Sequence, residues 1–582
     1  MEGNLTEWTV PAQLRRRAEE RPDDIAHSSA HGPAGVDDLT FGRWDRESTA
    51  AAHGLLALGI RPGDRVLLPC STSDWVRYAV AWAAVLKASA VAVPISRSAG
   101  RDAVRTVWAA SGAACVVGGD AASLPDARHL SLGDLVAAGC PEPLPGGPAP
   151  GDDAEIIYTS GTTGVPKGVV ASHENVLHPL RFPRPGRTRT ALHALPPGTT
   201  VGQGLLVQPL SARPHRTITL DRFTAGAMLD AIERHRPTDV VLVPAMAIAL
   251  VNASGAAEHD LSSVRQVRTT SAPIHPATLE ALAALFPAAR IRNVYSTTEC
   301  WPRRLATDFD RDRPTSLGRP ADGAQVRIVD EAGVELPAGT AGDVQLRGDA
   351  PQRRYDGETG PSTVFLRDGW TRTGDVGSVD QEGYFYLVDR NPDLVNTGGL
   401  NVSTLDVEAT MMEYPGVVEA AVCGVPHPVL TECVVAAVRA EVGLDLGGLL
   451  EYVRDRKGPA APHRIVIVDD LPRNFLGKTD KKRLRGQLAD QPGRRSEPPR
   501  TPTEIYLAGL WAETLDLDGV SATDDFLRLG GSSLTAMEVT SQATEELGRE
   551  ITVRDLLDAT TLRAFAAVVD MAPIREVVGH RD

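Results

Sequence analysis

Lysine is scarce in this 582-residue chain. Six of its 60 basic residues are lysine, at 87, 167, 457, 478, 481 and 482, and the rest are arginine. Lysine offers a compact charge on a flexible stem where arginine offers a planar fork, so a lysine kept inside a Gly-rich loop marks a place where the fork does not serve. Lys167 and Lys478 both adjoin glycine. Cysteine is also sparse. The six (70, 115, 140, 300, 423, 433) form no CxxC pair, which excludes a zinc ribbon and a disulfide framework and suits a reducing cytosol. Positive charge is in deficit: the formal charge is −15, and no basic run outweighs it, so no nucleic-acid surface is expected. The cluster Lys481-Lys482-Arg483 with Arg485 reads as a solvated helix face. No apolar stretch is long enough to cross a membrane. The most apolar one, Tyr78 to Ile95, is broken by Lys87 and Pro94 and reads as a buried helix plus strand. The first residues lack the basic and apolar stretches of a signal peptide, so a cytoplasmic protein without membrane partners is expected.

The remaining composition is that of a globular protein, 42% hydrophobic and 23% charged, long enough for three or four folding units. Residues 8–120 alternate helical patterns (Pro11 to Glu20, Arg46 to Leu58) with buried strands (Asp64 to Pro69, Ala90 to Pro94), as in a parallel α/β arrangement. Residues 141–151 are too rich in Pro and Gly for a core element. The strand Ala154 to Tyr158 leads into a Gly/Thr/Ser loop. Residues 218–298 alternate again, with Val240 to Val243 as a buried strand. Residues 324–390 read as β-rich, through Val326 to Val329, Asp343 to Arg347 and Tyr384 to Val388. Residues 491–502 form a Pro-rich linker. Beyond it lies a small helical domain with fifteen acidic and six basic side chains, whose segments 504–514 and 534–547 are amphipathic at helical period.

The loop Thr159-Ser160-Gly161-Thr162-Thr163-Gly164-Val165-Pro166-Lys167-Gly168 has the chemistry of an anion cradle. Its glycines let N–H groups turn inward, its hydroxyls add donors and Lys167 adds charge. It lacks the Walker A spacing, and taken alone it also suits a flexible hairpin. Ser-Gly-Thr-Thr-Gly-x-Pro-Lys-Gly resembles the phosphate-loop signature of the adenylate-forming superfamily, which holds acyl- and aryl-CoA synthetases, nonribosomal peptide synthetase adenylation domains and firefly-type luciferases. Further motifs follow in the family's order through residues 8–488.

By that resemblance Thr159, Ser160, Gly161, Thr162, Thr163 and Gly164 face the phosphates of ATP. Ser271-Ala272-Pro273 resembles the turn bordering adenine. Tyr295-Ser296-Thr297-Thr298-Glu299 resembles the element in which Tyr295 stacks on adenine beside Ser296, Thr298 contacts phosphate and Glu299 holds Mg²⁺. Asp375, in Thr373-Gly374-Asp375, and Arg390 would bind ribose. Lys478, in Pro472-Arg473-Asn474-Phe475-Leu476-Gly477-Lys478, would reach the α-phosphate and the substrate carboxylate and act in catalysis with Lys167, Thr298 and Glu299.

Two departures from the family stand out. Its pivot between half-reactions usually lies two residues beyond the matched arginine, and here that place is Pro392, whose φ is fixed. In the acyl pocket, Gly198 and Thr199 take places often held by an aromatic residue and His. Thr199, Val201 and Gly202 are the candidate lining, and no Asp between 195 and 210 could pair with an α-amino group. A carboxylic acid without an α-amino group is therefore expected. Asn396-Thr397-Gly398-Gly399-Leu400-Asn401-Val402 follows the CoA-synthetase pattern.

Gly530-Gly531-Ser532-Ser533-Leu534 resembles the 4′-phosphopantetheine attachment site of carrier proteins, with the arm on Ser533 at a helix start. The resemblance implies an α/β fold: a two-lobed adenylating domain with βαβ subdomains and a β-rich part (1–390), a small mobile α+β subdomain (391–490), the linker (491–502) and an all-α four-helix carrier (503–582). It implies a small-molecule carboxylic acid substrate, ATP, Mg²⁺, a phosphopantetheinyl transferase, and a downstream condensing, ketosynthase or tailoring enzyme in natural-product biosynthesis. Three alternatives stay open: an amino-acid-activating didomain, a ligase releasing its adenylate or CoA ester, and a non-catalytic carrier scaffold.

Overall fold

The computed structural model describes all residues except 1–7, 32–34, 120–123, 160–165, 183–188, 214, 359, 391–392, 398–399, 428–430, 475–477, 490–496, 516–518, 525, 527–528, 530–532, 560 and 575–582. Element counts below refer to the described residues. The chain divides into two compact units, Met1–Pro392 with Pro472–Asp480, and Asp393–Leu471 with Lys481–Asp582.

The first unit carries three sheets. In the nine-stranded one, Ile25–Ala30, His215–Leu220, Arg189–His193, Asp239–Leu242, Gln266–Thr269 and Arg290–Tyr295 run parallel, flanked by antiparallel Val36–Thr40, Arg304–Asp308 and Arg319–Ala321. The seven-stranded sheet is parallel around Arg65–Cys70 and Val91–Ser96. It ends in the antiparallel pair Asp153–Thr159 and Lys167–Ser172, joined by Arg354–Tyr355 at the edge. The expected parallel sheets are thus mixed at their edges, because apolar patterning reports burial and not strand direction. The β-rich stretch forms a four-stranded antiparallel sheet from Gln325–Val329 to Phe385–Arg390. The helix expected from Arg46 begins earlier and spans Phe41–Ala57, since Thr40 caps it by accepting the Arg43 N–H.

In the second unit a five-stranded sheet packs against Thr404–Met412 and Leu446–Lys457. Lys481 does not point into solvent as its cluster suggested: it pairs with Glu408 at 2.8 Å. Four helices follow: Pro502–Thr514, Ser533–Leu547, Val553–Asp558 and Leu562–Met571. Trp511, fully buried between Phe526 and Phe565, centres their core.

Three histidines in the first unit's core are held neutral. His27 accepts the Trp75 indole N–H at Nδ1, His193 accepts the Leu195 amide there and His173 the Val10 amide. Burial lowers their pKa values to about 3, 3 and 4. The unfolded chain therefore binds more protons than the folded one below about pH 6.5, so this unit loses stability as pH falls from there towards 4. Residues 497–574 hold no histidine. Their acid-sensitive groups are Glu504, lowered first by the Arg500 amide, and Glu497, lowered by Arg563; that support is present above the ordinary glutamate pKa and lost only below it. Hydrogen exchange of the whole chain at pH 6.5, 5.5 and 4.5 should show protection failing in the first unit while the four helices stay protected.

Candidate functional site

Parallel strands gather ligand sites beyond their carboxyl ends. Arg189–His193, Asp239–Leu242, Gln266–Thr269 and Arg290–Tyr295 are such neighbours, and each is followed by a stretch the sequence singled out or a wall beside it. Beyond His193 lies the helix Thr200–Val207, capped by Thr199, whose Oγ1 accepts the Gly202 amide at 2.9 Å. A Cβ on Gly202 would lie 2.8 Å from the Pro196 carbonyl oxygen, so the turn closes only on glycine. Beyond Thr269 lies Ser271-Ala272-Pro273, with Ser271 at φ 79°, a left-handed conformation that disfavours a side chain. Beyond Tyr295 come Ser296, Thr298 and Glu299.

Several of the predicted residues pair with one another or share a neighbour. Tyr295 Oη donates to Asp375 Oδ2 at 2.6 Å, and the Tyr295 ring packs 5.1 Å from Phe385. Burial first, then the Asp375 charge, raises the Tyr295 pKa, so the hydroxyl remains a donor. Gly374 at φ 78° turns the chain into Asp375, which lies opposite Arg390 across the strand pair. Thr298 Oγ1 accepts from Thr200 Oγ1 at 3.0 Å, which joins the phosphate motif to the first turn of the pocket helix. Lys167 Nζ lies 5.0 Å from the centre of the Tyr355 ring, and Tyr355 Oη donates to Glu299 Oε1 at 3.1 Å. Lys167 and Glu299 therefore share one neighbourhood through a tyrosine that the sequence did not flag. The half-buried Glu299 carboxylate is a hard oxygen donor of the kind Mg²⁺ takes.

Beneath these groups lies a second missed feature. Arg353, 2% exposed, donates from Nε to Asn175 Oδ1 (2.8 Å), from Nη2 to Gln203 Oε1 (2.8 Å) and from Nη1 to the Thr298 carbonyl (3.2 Å). Gln203 passes the network on to Glu155 Oε2 (3.0 Å), which also accepts the Trp82 indole N–H (3.1 Å). Burial lowers the Arg353 pKa to about 10, against the raising effect of Glu155, and lifts that of Glu155. One guanidinium thus ties the strand before the phosphate loop, the helix after it, the pocket helix and the Thr298-Glu299 turn. The usable signal was Glu155, a carboxylate inside an otherwise apolar strand that must find partners.

Of the remaining predicted residues, Ser160, Gly161, Thr162, Thr163 and Gly164 lie outside the described residues, as do Pro392, Gly398 and Gly399. Thr159 and Lys167 pair in register at the mouth of that loop. Lys478 sits in the segment Pro472–Asp480, grouped with the first unit, where its amide donates to Asn474 Oδ1 at 3.1 Å. The unit boundary falls between Pro392 and Asp393. Ser533 opens the helix Ser533–Leu547.

Known proteins share this organisation. Residues 14–355 match the model of AMP-binding enzymes, 406–478 that of the AMP-binding enzyme C-terminal domain and 506–569 that of the phosphopantetheine attachment site. A feruloyl-CoA synthase of Amycolatopsis sp is 32% identical over 83% of this chain and 98% of its own length. The phosphinothricin tripeptide synthetase PhsB of Streptomyces viridochromogenes is 29% identical over 96% of the chain, which spans 49% of that relative. The crystal structure of ATP-bound MatB from Rhodopseudomonas palustris superimposes with a TM-score of 0.75 at 28% identity, over 83% of this chain and 99% of that one.

Arg353→Met should leave three acceptors unpaired. At about 1–3 kcal/mol for each orphaned buried group, a loss of about 3 kcal/mol or more is expected in the denaturant unfolding of the first unit. A loss below about 1 kcal/mol would show that the network does not hold the site.

Proposed function

Because the chain belongs to the AMP-binding enzyme family and ends in a carrier domain, we propose that it activates a carboxylic acid lacking an α-amino group as its acyl-adenylate and loads the acyl group onto its own carrier at Ser533. Activation of an acid with ATP and Mg²⁺, and a pantetheine arm on the carrier, are what these family memberships entail. The finer reading of self-loading for natural-product assembly draws on the carrier sharing one chain with the adenylating part, as in the tripeptide synthetase relative. The observation that carries the reading is the assembly of Tyr295 with Asp375 and of Lys167 with Glu299 through Tyr355.

In the proposed reaction the acid's carboxylate oxygen attacks the α-phosphorus of ATP and the bond to pyrophosphate breaks. Tyr295 buries the adenine face, and Asp375 with Arg390 orients the ribose. Thr159 and the 160–164 loop donate to the phosphates. Lys167 and Lys478 hold positive charge where the equatorial oxygens gain negative charge. Glu299 is the residue that would hold Mg²⁺, which supplies charge neutralisation at the phosphates. Tyr355 orients Glu299. Thr199, Val201 and Gly202 form one wall of the acid pocket. The thiol of the arm at Ser533, which a phosphopantetheinyl transferase installs, then attacks the acyl carbon; the bond to phosphate breaks, AMP leaves and the thiol proton is lost. A downstream condensing, ketosynthase or tailoring enzyme would collect the product. A pivot between half-reactions would use ψ of Pro392 or shift to Asp393, where the second unit begins. Release of the acyl group to free CoA is the second reading, favoured by the feruloyl-CoA synthase relative.

Lys478→Ala should lower ATP–pyrophosphate exchange by about 10²–10³. Ser533→Ala should leave exchange unchanged and abolish covalent labelling of the chain by radioactive acid. Labelling that survives Ser533→Ala excludes self-loading at that residue. Separately, Tyr355→Phe should raise the Mg²⁺ concentration for half-maximal exchange by about tenfold or more, the worth of one lost hydrogen bond to a charged group, and preserve the rate at saturating Mg²⁺. A fall in rate with an unmoved Mg²⁺ requirement would remove Tyr355 from this role.

A further inference from the structure

Thr298 is tied to the pocket helix twice. Its carbonyl accepts from Arg353 Nη1, and Arg353 donates from Nη2 to Gln203 on that helix. Its Oγ1 accepts from Thr200 Oγ1, in the first turn of the same helix, at 3.0 Å. Thr200 and Gly204 stand four residues apart and share one helix face. A Cβ on Gly204 would lie 3.4 Å from the Trp301 ring, so that face lies along the turn that runs from Thr298 to Trp301.

The two adjacent threonines of the wall are used differently. Thr199 Oγ1 donates to the Pro196 carbonyl at 3.2 Å and accepts the Gly202 amide, so its hydroxyl is occupied within its own turn. Thr200 gives its single proton to Thr298. A threonine hydroxyl carries one proton and two acceptor lone pairs. One lone pair of Thr298 Oγ1 is taken by Thr200, and the Thr298 proton cannot point the same way. That proton has no acceptor among the described residues. Both threonines, like Glu299 beside them, are half-buried and not sealed in the core. The pair is therefore a one-way relay, from the acid wall to a hydroxyl with a donor left over.

We infer that Thr200 is a positioning residue for adenylate formation: by filling one lone pair of Thr298 Oγ1 it reserves the Thr298 proton for a phosphate oxygen of ATP. This rests on the adenylation reading, in which Thr298 contacts phosphate. A hydroxyl oxygen that already accepts one hydrogen bond is polarised to donate a stronger one. Such a donor acts where negative charge grows on the phosphate oxygens.

The test is a double-mutant cycle in ATP–pyrophosphate exchange by the full chain, at saturating concentration of whichever aryl, fatty or hydroxy acid supports the fastest exchange. Thr200→Val keeps the shape and removes the hydroxyl. It should lower kcat/KM for ATP by about fivefold, the worth of one hydrogen bond, and leave the KM for the acid unmoved. Thr200→Ser should restore most of the loss. In a Thr298→Val background Thr200→Val should cost nothing further, because a residue that acts only through its neighbour has no effect once that neighbour is gone. Equal losses in the two backgrounds would overturn the inference. So would a raised KM for the acid with kcat/KM for ATP intact, which would make Thr200 part of the acid wall alone. If Thr200→Val does not fold, Thr200→Ala takes its place in the cycle. Wild-type exchange with none of the acids would remove the adenylation reading and this inference with it, whereas exchange with additive losses would remove the inference alone.

Discussion

The site depends on one buried cation, Arg353. A guanidinium 2% exposed has no water to fall back on, so its donors must be met by protein oxygens. They are met by the Asn175 amide, the Gln203 amide and the Thr298 carbonyl, on three segments far apart in sequence. Each bond is modest alone, about 1.5–3 kcal/mol for a charged partner, but losing any one leaves a desolvated group behind. The arrangement therefore behaves as all or none. It fixes the distance between the pocket helix and the Thr298-Glu299 turn without using any group that would face a nucleotide.

The same logic explains why Glu155 is tolerated inside an apolar strand. Its Oε2 accepts from Trp82 and Gln203, so the carboxylate enters the Arg353 network at one remove rather than as a direct ion pair. Burial raises its pKa and lowers that of Arg353. The polar chain from Trp82 to Thr298 crosses from the seven-stranded sheet's helix layer to the loops beyond the nine-stranded sheet. Rigid placement of reacting groups needs such supporting bonds, because loops after strands are otherwise the softest part of an α/β fold.

Much of this was legible in the sequence. Tyr295, Glu299 and Asp375 were picked by motif; the structure bonds Tyr295 to Asp375, and Glu299 to Tyr355 beside Lys167. The strands around 66, 92, 156 and 241 were readable because buried apolar runs bounded by Gly and Pro have few other uses. Strand direction was not readable: Asp153–Thr159 and Lys167–Ser172 run antiparallel, although their patterning matches parallel neighbours. Arg353 and Tyr355 were missed for a physical reason. In Gln352-Arg353-Arg354-Tyr355 two adjacent arginines look alike, yet the first, just before the edge strand, is buried and the second, within it, pairs with Asp153 at the surface. Only the pairing with Lys167–Ser172 decides which is which.

Lysine usage gains a physical meaning from these placements. Lys87 is buried on Asp45 and Thr49, with its pKa lowered by burial to about 8; Lys457 pairs with Asp406, and Lys481 with Glu408. Lys167 is exposed and rests on the Tyr355 ring instead. A cation over an exposed aromatic face gains about 0.5–1 kcal/mol, less than the same ammonium gains from a desolvated phosphate. In the proposed reaction Lys167 would leave the ring for a triphosphate, a move that a single-point charge on four methylenes makes more easily than a stacked guanidinium would. Tyr355 holds Glu299 by its hydroxyl and Lys167 by its face, so these two opposite charges share one tyrosine without pairing with each other.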